Sequence, residues 1–221
     1  MRVLVFGASG TIGSAISKEL SAKGIVVTNV SNTSISSDIQ TLNGFESLKN
    51  LEVKFDGCVW AQGLNANDTL LDSDNFQEIL NVNVVYIVES LRYLIKQNLL
   101  ATNCSLVVIS SVWQQLTRKN KFSYSVSKAA LEGLVNSVMA DFSGTGLRIN
   151  SVLPGVVDSK MTRQNLSESQ IEKVQMETPT QTLVTTEELA RVVAWLVSAD
   201  SRGVNGQFIT VDNGWSHVRS I

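Results

Sequence analysis

Val3-Leu4-Val5-Phe6-Gly7-Ala8-Ser9-Gly10-Thr11-Ile12-Gly13 opens the chain, an apolar run leading into three glycines spaced three apart. Four consecutive apolar residues ahead of a glycine turn read as a buried strand. From Thr11 to Ala22 the period changes, with Ile12, Ala15, Ile16 and Leu20 recurring at helical spacing. Strand, glycine turn and helix in that order give a glycine repeat its meaning. Gly7 is expected to make the tight turn, Gly10 to admit close backbone approach, and Gly13 to let the helix pack on the strand. The N–H groups around Ser9, Thr11 and Ile12 then lie at the positive end of the helix dipole, where a pyrophosphate fits. A strand–helix turn without a ligand is the plainer alternative. Three glycines in this context favour the ligand.

Outward from this unit, strand and helix patterns alternate. Strands are expected at 25–30, 57–60, 106–110, 148–153 and 207–211, and helices at 76–97, 124–142 and 185–198. Thr185 and Glu188 stand in capping-box spacing at the start of the last helix. Residues 38–51 are weakly patterned and suggest one strand and a brief helix. The alternation predicts an α/β fold: a single-domain, doubly wound parallel sheet of the Rossmann type with helices on both faces, spanning 1–221. Residues 156–183 are long and polar and read as a lid loop. The helices at 76–97 and 124–142 are apolar on more than one side, which predicts a homodimer or homotetramer formed through them.

Bulk properties narrow the function. The chain has 221 residues, 43% of them apolar, and a net charge of −2, so there is no basic footprint for nucleic acid. No apolar run approaches membrane-spanning length. Cys58 and Cys104 lie in strand-like runs and read as reduced core residues. With no signal-peptide pattern at the start, the expected location is cytoplasmic. His217 is the single histidine, and no metal cluster can be built around it. Arg118-Lys119-Asn120-Lys121 reads as a solvated loop.

The end of the second strand usually selects the dinucleotide. An acidic side chain there would hold the ribose hydroxyls of NAD. No Asp or Glu occurs between Glu19 and Asp38, and the strand runs instead into Ser31-Asn32-Thr33-Ser34. A 2′-phosphate would meet no repulsion at Ser31 and Asn32, so NADP(H) is favoured over NAD(H).

Tyr124-Ser-Val-Ser-Lys128 lies thirteen residues beyond Ser111. A phenol and an ammonium four apart share one face of a helix. An unperturbed Tyr titrates near ~10, and bringing it to about 7 takes about 4 kcal/mol. A cation at ~4 Å in an effective dielectric of ~20 supplies about that much. A Tyr stacked on a Lys stem is the bland alternative for the pair alone.

Gly7–Gly13, Asn83, Ser111, Tyr124 and Lys128 together resemble the short-chain dehydrogenase/reductase family. The likeness continues in Asn150-Ser-Val-Leu-Pro154-Gly155 and ends in Val211-Asp-Asn-Gly214, so it spans nearly the whole chain. The resemblance implies that Tyr124 is the general acid or base and that Ser111 hydrogen-bonds the carbonyl or alkoxide. Lys128 would lower the Tyr124 pKa and bind the nicotinamide ribose, and Asn83 would hold a water that relays protons. On the cofactor side it implies Ala61-Gln62-Gly63 along the adenosine and Asp38-Ile39 beside the adenine. Pro154, Gly155, Val157 and Ser159 would line the nicotinamide.

Trp60 and Gln62 depart from the Asn and Ala usual in the family's turn, and the Gly-x-x-Gly-x-x-Gly spacing is typical of its longer branch. Only residues 155–221 follow Pro154, which favours the compact single-domain branch. The expected activity is hydride transfer between a nicotinamide dinucleotide and a small carbonyl compound or secondary alcohol. The alternatives are an NADP(H)-binding regulatory subunit without turnover and a sugar-nucleotide epimerase or dehydratase.

Overall fold

The computed structural model describes residues 1–31, 40–43, 48 and 53–218. Seven parallel strands form one sheet: β1 (Arg2–Phe6), β2 (Val26–Ser31), β3 (Gln40–Asn43), β4 (Phe55–Trp60), β5 (Leu100–Ile109), β6 (Arg148–Pro154) and β7 (Phe208–Val211). Their order is β3-β2-β1-β4-β5-β6-β7. The chain winds outward from β1 to β3, returns to place β4 on the free side of β1, and winds the other way. The crevice between β1 and β4, at the carboxyl ends of the strands, is the switch point of a doubly wound sheet.

The apolar runs are continuous because both faces of the sheet are covered. Val3, Val5, Val107 and Ile109 point to one face, beneath α1 (Thr11–Ala22) and α7 (Thr186–Val197). Their neighbours Leu4, Phe6, Leu106 and Val108 point to the other, with α3 (Tyr86–Lys96) and α4 (Phe122–Asp141). Each such side chain removed from water contributes about 1.5–3 kcal/mol, so burial on both faces holds the sheet between two helical layers. Trp60 ends β4 in the second layer, stacked on Phe6 at 5.4 Å, and its indole N–H donates to Ser90 Oγ at 2.8 Å. It is therefore a core residue, and the cofactor turn begins only after it.

Several elements differ from their sequence pattern. The expected helix 76–97 is α2 (Phe76–Leu80), a π-helical turn at Asn81–Val85, and then α3. Helix α4 begins at Phe122 rather than Tyr124, which sets Tyr124 inside the first turn. Residues 156–183, expected as a loop, carry two helices, α5 (Lys160–Asn165) and α6 (Glu168–Glu177). Their N-terminal signals are local: Ser159 Oγ accepts from Thr162 N, and Ser167 and Gln170 form a capping box. No apolar stripe announced them, because Ile171 is the one buried residue on α6 and α5 has none. The capping box of Thr185 and Glu188 is formed as the spacing predicts. Part of the excess apolar surface on α3 and α4 lines a shallow groove of about 290 Å³ between them, among Val88, Leu91, Ile95, Leu134 and Val138.

Candidate active site

The glycine turn is shaped by backbone crowding. Gly7 has a φ of +73°, and a Cβ there would strike the backbone of Gln62. A Cβ on Gly13 would strike the carbonyl oxygen of Gly7. Gly7 N donates to Val30 O at 3.0 Å and Gly10 N to Gly7 O at 3.0 Å, closing the turn against β2. Gly10 caps α1 without a side-chain hydrogen bond, and Ser9, Gly10 and Thr11 are exposed, with Ile12 half-buried. An uncapped helix end thus opens on the switch-point crevice.

Ala61-Gln62-Gly63 follows β4 and forms the other wall, with Ala61 N donating to Phe6 O at 2.9 Å. Both amide atoms of Gln62 are buried and have no partner among the described residues. A buried amide left without partners is costly. Together with the uncapped helix end and the glycine cradle, it fits a dinucleotide that brings its own polar groups. Ser31 is buried at the end of β2. Asn32, Asp38 and Ile39 lie outside the described residues.

The reacting groups gather beyond β5. Ser111 is buried, caps the short turn Val112–Gln114, and hydrogen-bonds Tyr124. Burial pushes the Tyr124 phenol above its usual pKa, and the Ser111 hydrogen bond offsets part of that rise. Lys128 Nζ lies 5.6 Å from the Tyr124 ring centroid and donates to Ile109 O at 3.0 Å. Burial lowers its pKa to about 8. The lowered Tyr124 pKa expected from the spacing is thus absent in the free chain. The ammonium is drawn to a backbone carbonyl and faces the ring, so desolvation wins.

Asn83 sits in the π-helical turn, almost fully buried. Its Oδ1 accepts from Leu64 N at 2.8 Å, and its Nδ2 donates to Leu64 O at 2.9 Å and Ser127 Oγ at 2.9 Å. The amide holds the loop after Gly63 against α4. Gly63 lies over both Asn83 Oδ1 and Lys128 Nζ, each 3.6 Å from where a Cβ would stand. Both amide hydrogens of Asn83 are engaged within the protein, so a water there would be held by an oxygen of Asn83 as acceptor.

Pro154 ends β6 and Gly155 follows it, with Gly155 N donating to Val211 O at 2.9 Å. Val157 is buried and bridges to Val184, while Ser159 starts α5. Ser111, Tyr124, Pro154, Gly155, Val157 and Ser159 line one cavity of about 300 Å³. A larger open hollow, about 1170 Å³, lies at the amino ends of the strands near Asp56 and Arg148 and holds none of these residues.

Residues that the pattern did not reveal also build the site. Asp68 Oδ1 accepts from Ser123 N at 3.0 Å, and Asp68 O from Phe122 N at 3.3 Å, so Asp68 anchors the first turn of α4. Lys121, expected in solvent, is buried. Its Nζ donates to Asn65 Oδ1 at 2.6 Å and Ala66 O at 3.2 Å, and lies 5.5 Å from the Tyr124 ring centroid. No local signal marked Asp68, because it meets Ser123 from 55 residues away along the chain. Nothing local marked Lys121 as buried.

No group of three or more potential metal ligands occurs among the described residues, and no described helix is long and apolar enough to cross a membrane. The profile of the enoyl-(acyl carrier protein) reductase family matches residues 14–216. The uncharacterized oxidoreductase YmfI of Bacillus subtilis (strain 168) is 27% identical over 96% of this chain and 97% of its own length. The 3-oxoacyl-[acyl-carrier-protein] reductase FabG of Rickettsia bellii (strain RML369-C) is 28% identical over 96% and 95%. In fold, the ligand-free aldohexose dehydrogenase of Thermoplasma acidophilum superposes with a TM-score of 0.89 at 24% identity, covering 100% of this chain and 95% of that one. The family match runs from within α1 to the segment after β7 and takes in the Ala61-Gln62-Gly63 wall and the groups beyond β5. The chain therefore belongs to the short-chain dehydrogenase/reductase family of NAD(P)-dependent oxidoreductases.

Proposed function

We propose that the protein interconverts a carbonyl compound and its secondary alcohol, with Tyr124 as general acid/base and NADPH as the favoured reductant. The observation that carries this reading is the contact of a buried hydroxyl, Ser111, with a half-buried phenol, Tyr124, beside the Lys128 ammonium and open to one cavity. When bound, the reduced nicotinamide supplies the hydride to the carbonyl carbon. Ser111 donates a hydrogen bond to the carbonyl oxygen as negative charge develops there. Tyr124, whose pKa is raised, keeps its proton at neutral pH and delivers it to that oxygen. Lys128, anchored on Ile109 O, stabilises the phenolate left behind. Asn83 and Asp68 position the loop and helix that carry these groups. Gly7–Gly13, Gln62, Pro154, Gly155, Val157 and Ser159 hold the dinucleotide. The preference for NADPH is supported by the neutral end of β2 at Ser31 and by the lack of any acidic residue from 20 to 37.

Tyr124→Phe is the test. It is expected to retain dinucleotide binding and to lower kcat a hundredfold or more across a panel of small carbonyl compounds, assayed with NADPH and NADH in parallel. Unchanged turnover would remove Tyr124 from the chemistry. A higher kcat/KM with NADH than with NADPH would reverse the cofactor preference. Tight dinucleotide binding with no net consumption would favour a regulatory or epimerase role.

A further inference from the structure

The cavity in front of Tyr124 has an uneven lining. Trp113, Met161, Leu166, Val174 and Trp215 make it apolar, and its charged side chains are Arg118, Lys121 and Lys173, with no Asp or Glu among them. Of the three, Lys121 is buried, while Arg118 and Lys173 reach water at the mouth of the cavity. Two of the three are balanced within the protein. Lys121 is held by Asn65 and Ala66 and feels the attraction of Asp68. Lys173 pairs with Glu177 at 3.9 Å. Arg118 has no hydrogen bond or ion pair among the described residues. Its guanidinium lies 5.8 Å over the Trp113 ring, which in turn meets Trp215 edge to face at 5.8 Å. The contact with the indole is a cation–π attraction that holds the guanidinium near the cavity wall and leaves its N–H groups free for a carboxylate, which arginine can take in two parallel hydrogen bonds.

We propose that the carbonyl substrate is an anion, a small keto acid whose carboxylate docks on Arg118 while its carbon chain rests against Trp113 and Trp215. The proposal rests on the carbonyl-reductase reading of the same site and specifies its substrate class. A small substrate follows from the space available. About 300 Å³ is at the low end for ligand cavities, and part of it, beside Pro154 and Val157, is needed for the nicotinamide. Lys173 adds a second, weaker attraction at the exposed rim.

The test compares acids with neutral isosteres on the full chain. Small 2-, 3- and 4-keto acids and their methyl esters are assayed with saturating NADPH. The expected result is a kcat/KM at least about tenfold higher for the best acid than for its ester, with the advantage shrinking as NaCl rises from about 0.05 to about 0.5 M. Arg118→Met is expected to cut the acid-to-ester ratio by about tenfold to a hundredfold, and Arg118→Lys to restore part of it. Lys119→Met, on the same loop but away from the cavity, should leave the ratio alone. Equal kcat/KM for acids and esters, or a ratio insensitive to Arg118→Met, overturns the proposal. If neither acids nor esters turn over, the fault lies with the carbonyl-reductase reading. Titration of propionate and butyrate into the NADPH complex, followed by tryptophan fluorescence, then decides the charge question. Saturable quenching that Arg118→Met weakens tenfold or more supports the anion site, and its absence overturns it.

Discussion

The glycine turn after β1 and the reacting group after β5 stand on the same edge of one sheet, yet they are built from opposite materials. The turn is made of backbone. Its requirement is that nothing project from Gly7 or Gly13, and the helix start offers N–H groups with no side chain over them. The reacting group is made of side chains held by other side chains. Ser111 reaches Tyr124, Asn83 secures Leu64 and Ser127, and Asp68 secures the start of α4. The difference teaches how each region should fail. A backbone site has no spare room, so one methyl group damages it through shape. A side-chain site keeps its shape under conservative changes and fails first in chemistry.

The strongest way to break this comparison is Gly13→Ala. The new methyl would press on the Gly7 carbonyl, which is tied to Gly10 and cannot move aside. About 2–3 kcal/mol of overpacking strain is expected in urea denaturation, with dinucleotide affinity lower by about tenfold or more. Unchanged NADPH affinity would show that the turn has slack. Asn83→Ala should come next. It removes three hydrogen bonds and leaves Leu64 and Ser127 short of partners, for a loss of about 1–2 kcal/mol. It should also lower kcat more than it weakens NADPH binding. The reverse pattern would mean that the loop serves the cofactor wall first.

The smallest effect sharpens the electrostatic side. Lys128 titrates at about 8 in the fold and near ~10.4 unfolded, so the unfolded chain binds the proton more readily. Its burial therefore destabilises the fold fully below about pH 8, and the penalty fades as pH rises through ~10.4. Lys128→Met should raise Tm, relative to the native chain, by about 2 °C or more at pH 7 compared with pH 10. The same Tm difference at both pH values would show that the ammonium is better solvated than its surroundings indicate.

Much of this was legible along the chain. The run from Val3 to Gly13 carries strand, turn and helix within eleven residues, and each signal is local. Thr185 and Glu188 announced α7 for the same reason. Helices α5 and α6 were hidden because they lie exposed over the cavity and need no apolar stripe. Arg118 and Lys121 looked like one solvated run, and Arg118 is indeed exposed while Lys121 is buried, but charge in sequence says nothing about which side of a loop borders a cavity. Only their contacts with Trp113, Asn65 and Ala66 reveal it.

The sequence alone was enough for the doubly wound sheet, the glycine cradle and the meeting of Ser111, Tyr124 and Lys128. These depend on period, on the missing Cβ and on spacing within one strand–helix unit. Tertiary structure alone decided that Trp60 is core, that Asn83 clamps the loop at Leu64, that the free chain holds Tyr124 above its usual pKa, and that Arg118 stands unpaired on the cavity wall. Each of those depends on what lies across the fold from the residue, and desolvation and pairing are set by neighbours distant in the chain.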